Sequence, residues 1–109
     1  MTKVFLKKTD DTLEMRITGH AERNRTEIGN LCCAAVSMLN AATLNWAANF
    51  TESGFGDELG IDNAPGSSSL KMRAHPDHRA ELMAMYDYLH IGFELLIEKY
   101  PKRIAWGEE

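Results

Sequence analysis

The run from Ile28 to Thr51 contains no charged residue, and it limits more than any other feature how this chain can fold. Apolar and small side chains recur within it at spacings of three and four residues, which predicts a helix over residues 31–50. These side chains are Val36, Leu39, Thr43, Trp46 and Phe50. Because no face of such a helix carries charge, we expect it to be covered on more than one side, by a sheet and by a second subunit.

A charge-free run of this length also raises the question of a membrane span. It holds Asn30, Asn40, Asn45 and Asn49, and alanine is the most frequent of its apolar residues. Inserting these side-chain amides into a bilayer would be costly. We therefore predict the buried helix of a soluble protein and no membrane contact.

Composition excludes several other classes of protein. The chain has 109 residues, of which 44% are hydrophobic and 26% charged, as expected for one globular domain over residues 1–109. Its net charge is −4 and its basic residues do not cluster, so we do not expect it to bind nucleic acid. The two cysteines, Cys32 and Cys33, are neighbours, and a bond between them would be strained. Free thiols and the absence of a secretory signal predict a cytoplasmic protein.

Alternating side chains predict strands on both sides of the helix. Residues 3–18 alternate between apolar and polar side chains around a Thr-Asp-Asp-Thr turn, which indicates an antiparallel hairpin. Residues 57–62 form a weaker strand candidate, and residues 70–73 a stronger one. Pro76 and Asp77 are typical of a helix start, and Pro101 ends that helix before a short strand at residues 103–106. The predicted order is β-β-α-β-β-α-β, an α+β fold with a mainly antiparallel sheet and two helices.

A histidine and a cysteine stand at two predicted structural boundaries. His20 follows the second strand, within Gly19-His20-Ala21, and Cys33 is expected in the first turn of the charge-free helix. Unpaired backbone N–H groups at a helix start favour a thiolate, and a nearby imidazole could take the thiol proton. A cysteine in an alanine-rich helix is, however, more often a small buried side chain. From spacing alone, both interpretations remain open.

The sequence around these two residues resembles the ribosomal-processing cysteine protease family, Prp. Members carry Gly-His followed by Ala or Ser, a flexible loop, an acidic residue, and then Cys-Ala-Ala-Val-Ser or a close variant. Here the matching segments are 19–21 and 33–37. The resemblance implies that Cys33 is the nucleophile and His20 its general base. We also expect the polar loop of residues 21–29 to close on the substrate, and the candidate substrate-loop residues are Gly19, Ala21 and Gly29.

Further properties follow from the same resemblance. Family members look like small homodimers that remove an N-terminal extension from the ribosomal protein bL27, and phage relatives are thought to process capsid or scaffold proteins. The resemblance therefore implies a protein or peptide substrate and no cofactor. Ser37 matches the serine of the family motif. It either orients a group in the site or returns a hydrogen bond to the carbonyl of Cys33.

The chain departs from the family pattern at two positions. Asn30 stands where the family has an acidic residue, and an amide can still orient an imidazole, although it stabilises the imidazolium less well. Cys32 stands where the family has an apolar residue, so Cys32 is an alternative to Cys33 as nucleophile. These departures keep a second function open, a non-catalytic dimeric interaction module that retains the fold.

Metal sites are the remaining chemical possibility that the sequence raises. His75 and His78 flank an aspartate at a predicted helix start, but no further ligands follow at a defined spacing. Adjacent cysteines point in different directions on a helix, and no CxxC pair is present. We therefore predict no metal site.

Overall fold

The five strands and two long helices follow one another in the predicted order. The computed structural model describes residues 1–19 and 27–108, with residues 27–30 described by their backbone alone. The strands are β1 (Thr2–Lys8), β2 (Thr12–Thr18), β3 (Gly56–Ala64), β4 (Ser67–Ala74) and β5 (Ile104–Trp106). The helices are α1 (Glu27–Glu52) and α2 (Arg79–Lys99), with a short 3₁₀ turn at Pro76–His78. The predicted α+β fold is confirmed.

The strands form a single sheet in the order β3-β4-β2-β1-β5. All neighbours are antiparallel except β1 and β5, which are parallel. In the predicted hairpin, Val4 pairs with Ile17 and Leu6 with Met15. This register places the apolar residues of both strands on the same face, as the alternation requires.

The core lies between one face of this sheet and the two helices. The sheet contributes Val4, Leu13, Met15, Leu70 and Met72, all at most 1% exposed. From α2, the side chains of Leu82, Leu89 and Phe93 are fully buried. These three side chains lie on one face of α2, and that face packs against the sheet. The 3₁₀ turn that precedes it takes up Pro76 and Asp77, so α2 itself begins at Arg79 rather than at the proline.

Helix α1 begins earlier than the sequence pattern indicates. It starts at Glu27, and Gly29 therefore lies inside its first turn and not in a loop, which corrects the prediction for this residue. Glycine costs about 1 kcal/mol relative to alanine in a helix interior. The packing of this 26-residue helix on the sheet stabilises it by more than the glycine destabilises it. An acidic residue at the helix start is also favoured by the helix dipole.

One face of α1 is covered and the opposite face is not. Val36, Thr43, Ala47 and Phe50 are buried, whereas Met38 is 69% exposed. By length and composition, Leu31–Glu52 could cross a membrane, but the core helix of a soluble protein passes the same test. Within the described residues, α1 is thus covered by the sheet and, at Leu39, by α2, whereas the face that carries Met38 is exposed.

Candidate active site

A cleft of about 300 Å³ opens where α1 passes the end of β2 and the turn between β3 and β4. Gly19 forms one part of its wall and Gly66 another, and Cys33 faces them from the helix. The cleft therefore brings together residues that are distant in sequence. No charged residue contributes to its lining among residues 1–19 and 27–108.

Helix α1 presents a row of three polar side chains to this cleft. Cys33, Ser37 and Asn40 are spaced by four and then three residues, which places them on one face of a helix. Cys33 and Ser37 were predicted from the sequence, whereas Asn40 was not. The sequence does contain a pattern that indicates Asn40, because the spacing of three or four residues that is typical of one helix face continues from Ser37 to Asn40.

The two adjacent cysteines have different environments. Cys32 is 2% exposed and belongs to the hydrophobic core, whereas Cys33 is partly exposed and lines the cleft. Burial raises the pKa of the Cys32 thiol, the neighbouring Cys33 raises that pKa further, and Arg103 lowers it. A buried thiol that resists ionisation is a poor nucleophile. Of the two cysteines, Cys33 is the one that a substrate in the cleft can reach.

The helix start lies further from Cys33 than predicted. Counted from Glu27, Cys33 is the seventh residue of α1 and not part of its first turn. The unpaired backbone N–H groups of a helix belong to its first four residues, here Glu27, Ile28, Gly29 and Asn30. The backbone N–H of Cys33 is therefore engaged within the helix and does not serve as an oxyanion donor. The expectation that helix-start donors surround Cys33 is wrong, because the helix extends four residues further towards the N-terminus.

Gly19 closes the wall of the cleft that faces the helix. Its backbone N–H donates a hydrogen bond to the carbonyl of Gly66, at 3.2 Å, which joins the end of β2 to the β3–β4 turn. Its φ of +79° is in the left-handed region that favours glycine, and a Cβ there would collide with the carbonyl oxygen of Met1. His20 and Ala21 come next in the chain and lie outside the described residues. Asn30 is placed in the first turn of α1, with its side chain likewise outside the description.

Two threonines of α1 show the hydrogen bond that one of the two roles considered for Ser37 requires. Thr43 and Thr51 each return a hydroxyl hydrogen bond to the carbonyl four residues earlier, at 2.6 and 2.9 Å. Ser37 makes no such bond to the carbonyl of Cys33, and its side chain lines the cleft.

Ser68 is the second residue of the cleft that the sequence analysis missed. Its hydroxyl is buried and donates a hydrogen bond to the side-chain carbonyl of Asn40, at 3.0 Å. The two residues are 28 positions apart, and nothing in the local pattern of β4 relates them. As for metals, no group of three or more His, Cys, Asp and Glu side chains in the described part of the chain is placed to hold an ion.

The sequence that forms this cleft matches a known protein family. The model of the family described as cysteine protease Prp matches residues 1–105. The chain belongs to the Prp family. It is thus a cysteine protease, and the match includes every element that lines the cleft. No curated protein matches the chain in a sequence search.

Solved structures show that this Prp family member has the fold of its relatives. It is similar to an essential ribosomal processing protease Prp from S. aureus in complex with a substrate peptide, with a TM-score of 0.69 and 12% identity over 100% of both chains. The same S. aureus protease with a covalently linked product peptide gives a TM-score of 0.67 and 14% identity, again over both whole chains. SMU.848 from Streptococcus mutans gives 0.65 and 19%, over 97% of this chain and 91% of that one.

Proposed function

We propose that this Prp family member is an endopeptidase in which Cys33 is the nucleophile and His20 the general base. The observation that carries the proposal is the placement of Cys33 in the cleft while Cys32 is buried in the core. His20 follows directly on Gly19, which lines the same cleft. A Prp of the same fold has been solved with a covalently linked product peptide, which supports covalent chemistry at such a site.

The chemistry follows from these two roles. His20 takes the proton of the Cys33 thiol, and the thiolate sulfur forms a bond to the carbonyl carbon of the scissile peptide. The carbon–nitrogen bond then breaks as the imidazolium gives its proton to the leaving amine. Water, deprotonated by His20, hydrolyses the thioester and restores the thiol. The amide of Asn30 would orient the imidazole, and the hydroxyl of Ser37 would position a group in the site. The segment that begins at Ala21 would close on the bound substrate.

The substrate is proposed to be an extended segment near the N-terminus of a protein. A relative of the same fold is a ribosomal processing protease, which favours a ribosomal protein such as bL27 as the substrate. A phage capsid or scaffold protein is the alternative substrate. The free cysteines suit a reducing cytoplasm, where either substrate would be made.

We also propose that two copies of the chain associate through the outer faces of α1 and α2. The two helices pack side by side, with Leu39 of α1 against Gly92 of α2. Their outward faces leave large apolar side chains at 54–69% exposure, namely Leu31, Met38, Tyr88, Ile91 and Leu95. Exposed apolar side chains gathered on two neighbouring helices are typical of a subunit interface.

Cleavage of defined peptides tests the catalytic assignment. Peptides that span the N-terminal extension of bL27 and of a phage capsid protein are incubated with the wild type, Cys33→Ser and Cys32→Ser. We expect wild type and Cys32→Ser to cut one of them, and Cys33→Ser to lose more than about 1,000-fold in rate. Cleavage by Cys33→Ser but not by Cys32→Ser would assign the nucleophile to the other cysteine. A wild type that binds a peptide without cutting it would instead favour an interaction module.

A further inference from the structure

The face of the sheet that points away from both helices carries a pocket of about 420 Å³. Residues of β1 and β2 line it, and they alternate along their strands with the buried Val4 and Ile17. Side chains that alternate with core residues point to the opposite face of a sheet, so this pocket is separate from the core. We call it the outer pocket. Its lining includes Lys3, Phe5, Arg16, Thr18, Gly107 and Glu108.

Two cationic side chains are neighbours in the outer pocket. Lys3 pairs with Thr18 across the two strands and Phe5 pairs with Arg16, so Lys3 and Arg16 are diagonal neighbours. Diagonal neighbours on one face of a sheet are about 7–8 Å apart, a distance at which like charges repel each other. Lys3 forms no ion pair with a residue that the structure describes. An anion between the two side chains would therefore be attracted by both.

The guanidinium group of Arg16 is held in place but is not fully bonded. Its central carbon lies 4.4 Å from the centre of the Phe5 ring, which supports one face of the group. Its Nε atom is buried and has no hydrogen-bond partner within residues 1–19 and 27–108, since the carboxylate of Glu14 is 3.9 Å away. Buried donors are nearly always bonded, and one without a partner calls for a water or an ion to complete the site.

The segment that follows β5 restricts the side chain of Lys3. The backbone N–H of Gly107 donates a hydrogen bond to the carbonyl of Val4, at 2.7 Å. A Cβ at Gly107 would lie 3.3 Å from the Cβ of Lys3, so this backbone packs directly on the base of the lysine side chain. Packing at this point limits the rotamers of Lys3 and keeps its ammonium group near the outer pocket.

The donors of the outer pocket match the oxygens of a phosphate group. Arg16 offers a planar fork of N–H donors, Lys3 an ammonium group and Thr18 a hydroxyl. A phosphate group presents three acceptor oxygens, one more than a carboxylate, and arginine and lysine both bind it. Glu108 is the only acidic side chain that the described part of the chain places in the lining, so two cations face one carboxylate. This balance favours an anion over a neutral ligand.

We propose that the outer pocket binds a phosphate group, which accepts hydrogen bonds from Arg16, Lys3 and Thr18. Arg16 and Lys3 supply the charge, and Phe5 is a positioning residue that acts through the guanidinium of Arg16. The site lies on the face of the sheet opposite the core and does not depend on the assignment of a protease mechanism. The phosphate group belongs either to the inorganic ion or to a phosphate monoester.

Amide NMR spectra of the full chain test the site with three probes, inorganic phosphate, adenosine monophosphate and adenosine. Sodium chloride of equal ionic strength is the blank. We expect the two phosphate probes to shift the amide signals of Thr18 and Gly107, and adenosine and the blank to leave these signals unchanged. Tighter binding of adenosine monophosphate than of phosphate would assign the site to a monoester, and equal affinities would assign it to the free ion.

Four variants connect the binding to the named residues. Arg16→Gln and Lys3→Gln should each weaken the affinity for phosphate at least about tenfold, because each removes a charge-assisted hydrogen bond. Glu108→Gln should strengthen the affinity, because it removes the opposing charge. Lys71→Gln is the matched control, since it removes one positive charge from the same face of the sheet at a position outside the lining. It should leave the affinity unchanged.

Several results would overturn the phosphate site. They are unchanged Thr18 and Gly107 signals with both phosphate probes, shifts that sodium chloride reproduces, and shifts with adenosine equal to those with adenosine monophosphate. Equal weakening by Lys3→Gln and Lys71→Gln would also overturn it, because attraction to the overall charge would then explain the binding. Lys3→Gln replaces an exposed side chain and keeps the test decisive if Arg16→Gln does not fold.

Discussion

The backbone N–H of Gly19 donates a hydrogen bond to the carbonyl of Gly66, at 3.2 Å, and so holds the end of β2 against the β3–β4 turn. The bond spans one wall of the cleft that Cys33 faces. Both glycines have a φ near +79°, which other residues adopt only with strain. The shape of the cleft therefore depends on two backbone positions as well as on its side chains.

Gly19→Ala is expected to destabilise the protein by at least about 2 kcal/mol, since it combines left-handed strain with a collision against Met1. Gly54→Ala is a matched control, because Gly54 has a φ of +78° but nothing within 4 Å of a Cβ. It should show the strain alone, about 1 kcal/mol. Urea unfolding of both variants measures the difference, and equal losses would contradict the proposed collision.

Native Cys33 should react with iodoacetamide near neutral pH while Cys32 remains unmodified, because Cys33 lines the cleft and Cys32 is 2% exposed. Peptide mapping after a short exposure identifies the modified residue. Unfolding in urea should expose both thiols and abolish the difference. Preferential labelling of Cys32 in the folded protein would show that α1 is rotated about its axis so that Cys32, and not Cys33, faces the cleft.

His20→Ala should lower the rate of peptide cleavage by at least about 100-fold if His20 is the general base. The same variant should also slow the reaction of Cys33 with iodoacetamide, because no base then takes the thiol proton. His90→Ala, at an exposed position on α2, is the control and should leave both rates unchanged. An unaltered alkylation rate in His20→Ala would rule out the pairing of His20 with Cys33.

Cys32 should make the stability of the fold decrease at alkaline pH. Its pKa is raised in the folded protein, chiefly by burial, so the unfolded chain loses this proton first as the pH increases. Below the pKa of the thiol in the unfolded chain, about 8.5, the neutral thiol makes its full contribution to the free energy of unfolding. This contribution is lost as the pH rises through the pKa of the thiol in the folded protein. Urea unfolding at several pH values should show a shallower alkaline decline for Cys32→Ala than for Cys33→Ala.

Met38→Glu should convert a dimer into a monomer, because it places a charge on the exposed apolar face of α1. Leu59→Glu is the matched control, an exposed apolar residue on the edge strand β3 and away from both helix faces. Light scattering after gel filtration measures the mass. A wild type that is monomeric at high concentration would remove the proposed interface.

Local patterns were sufficient to predict the elements and their order. Residues 3–18 alternate in a way that a half-buried hairpin requires, and the structure pairs Val4 with Ile17 as that alternation demands. The charge-free run predicted α1, because its apolar side chains recur at helical spacing and a helix without charge has to be packed. Its start was misplaced because Gly29 disfavours helices locally, and that preference was outweighed by the packing of the remaining helix.

Adjacent residues of a helix point about 100° apart, so one sequence motif contains both cysteines but cannot state which faces the sheet. The sequence by itself determined the element order and the charge-free helix. It also determined that a histidine precedes this helix and that a cysteine lies within it. Only the tertiary structure decided that Cys32 belongs to the core and Cys33 to the cleft, and that Ser68 orients Asn40. Those relationships depend on how α1 rotates against β4, which is fixed by contacts between residues far apart in the chain.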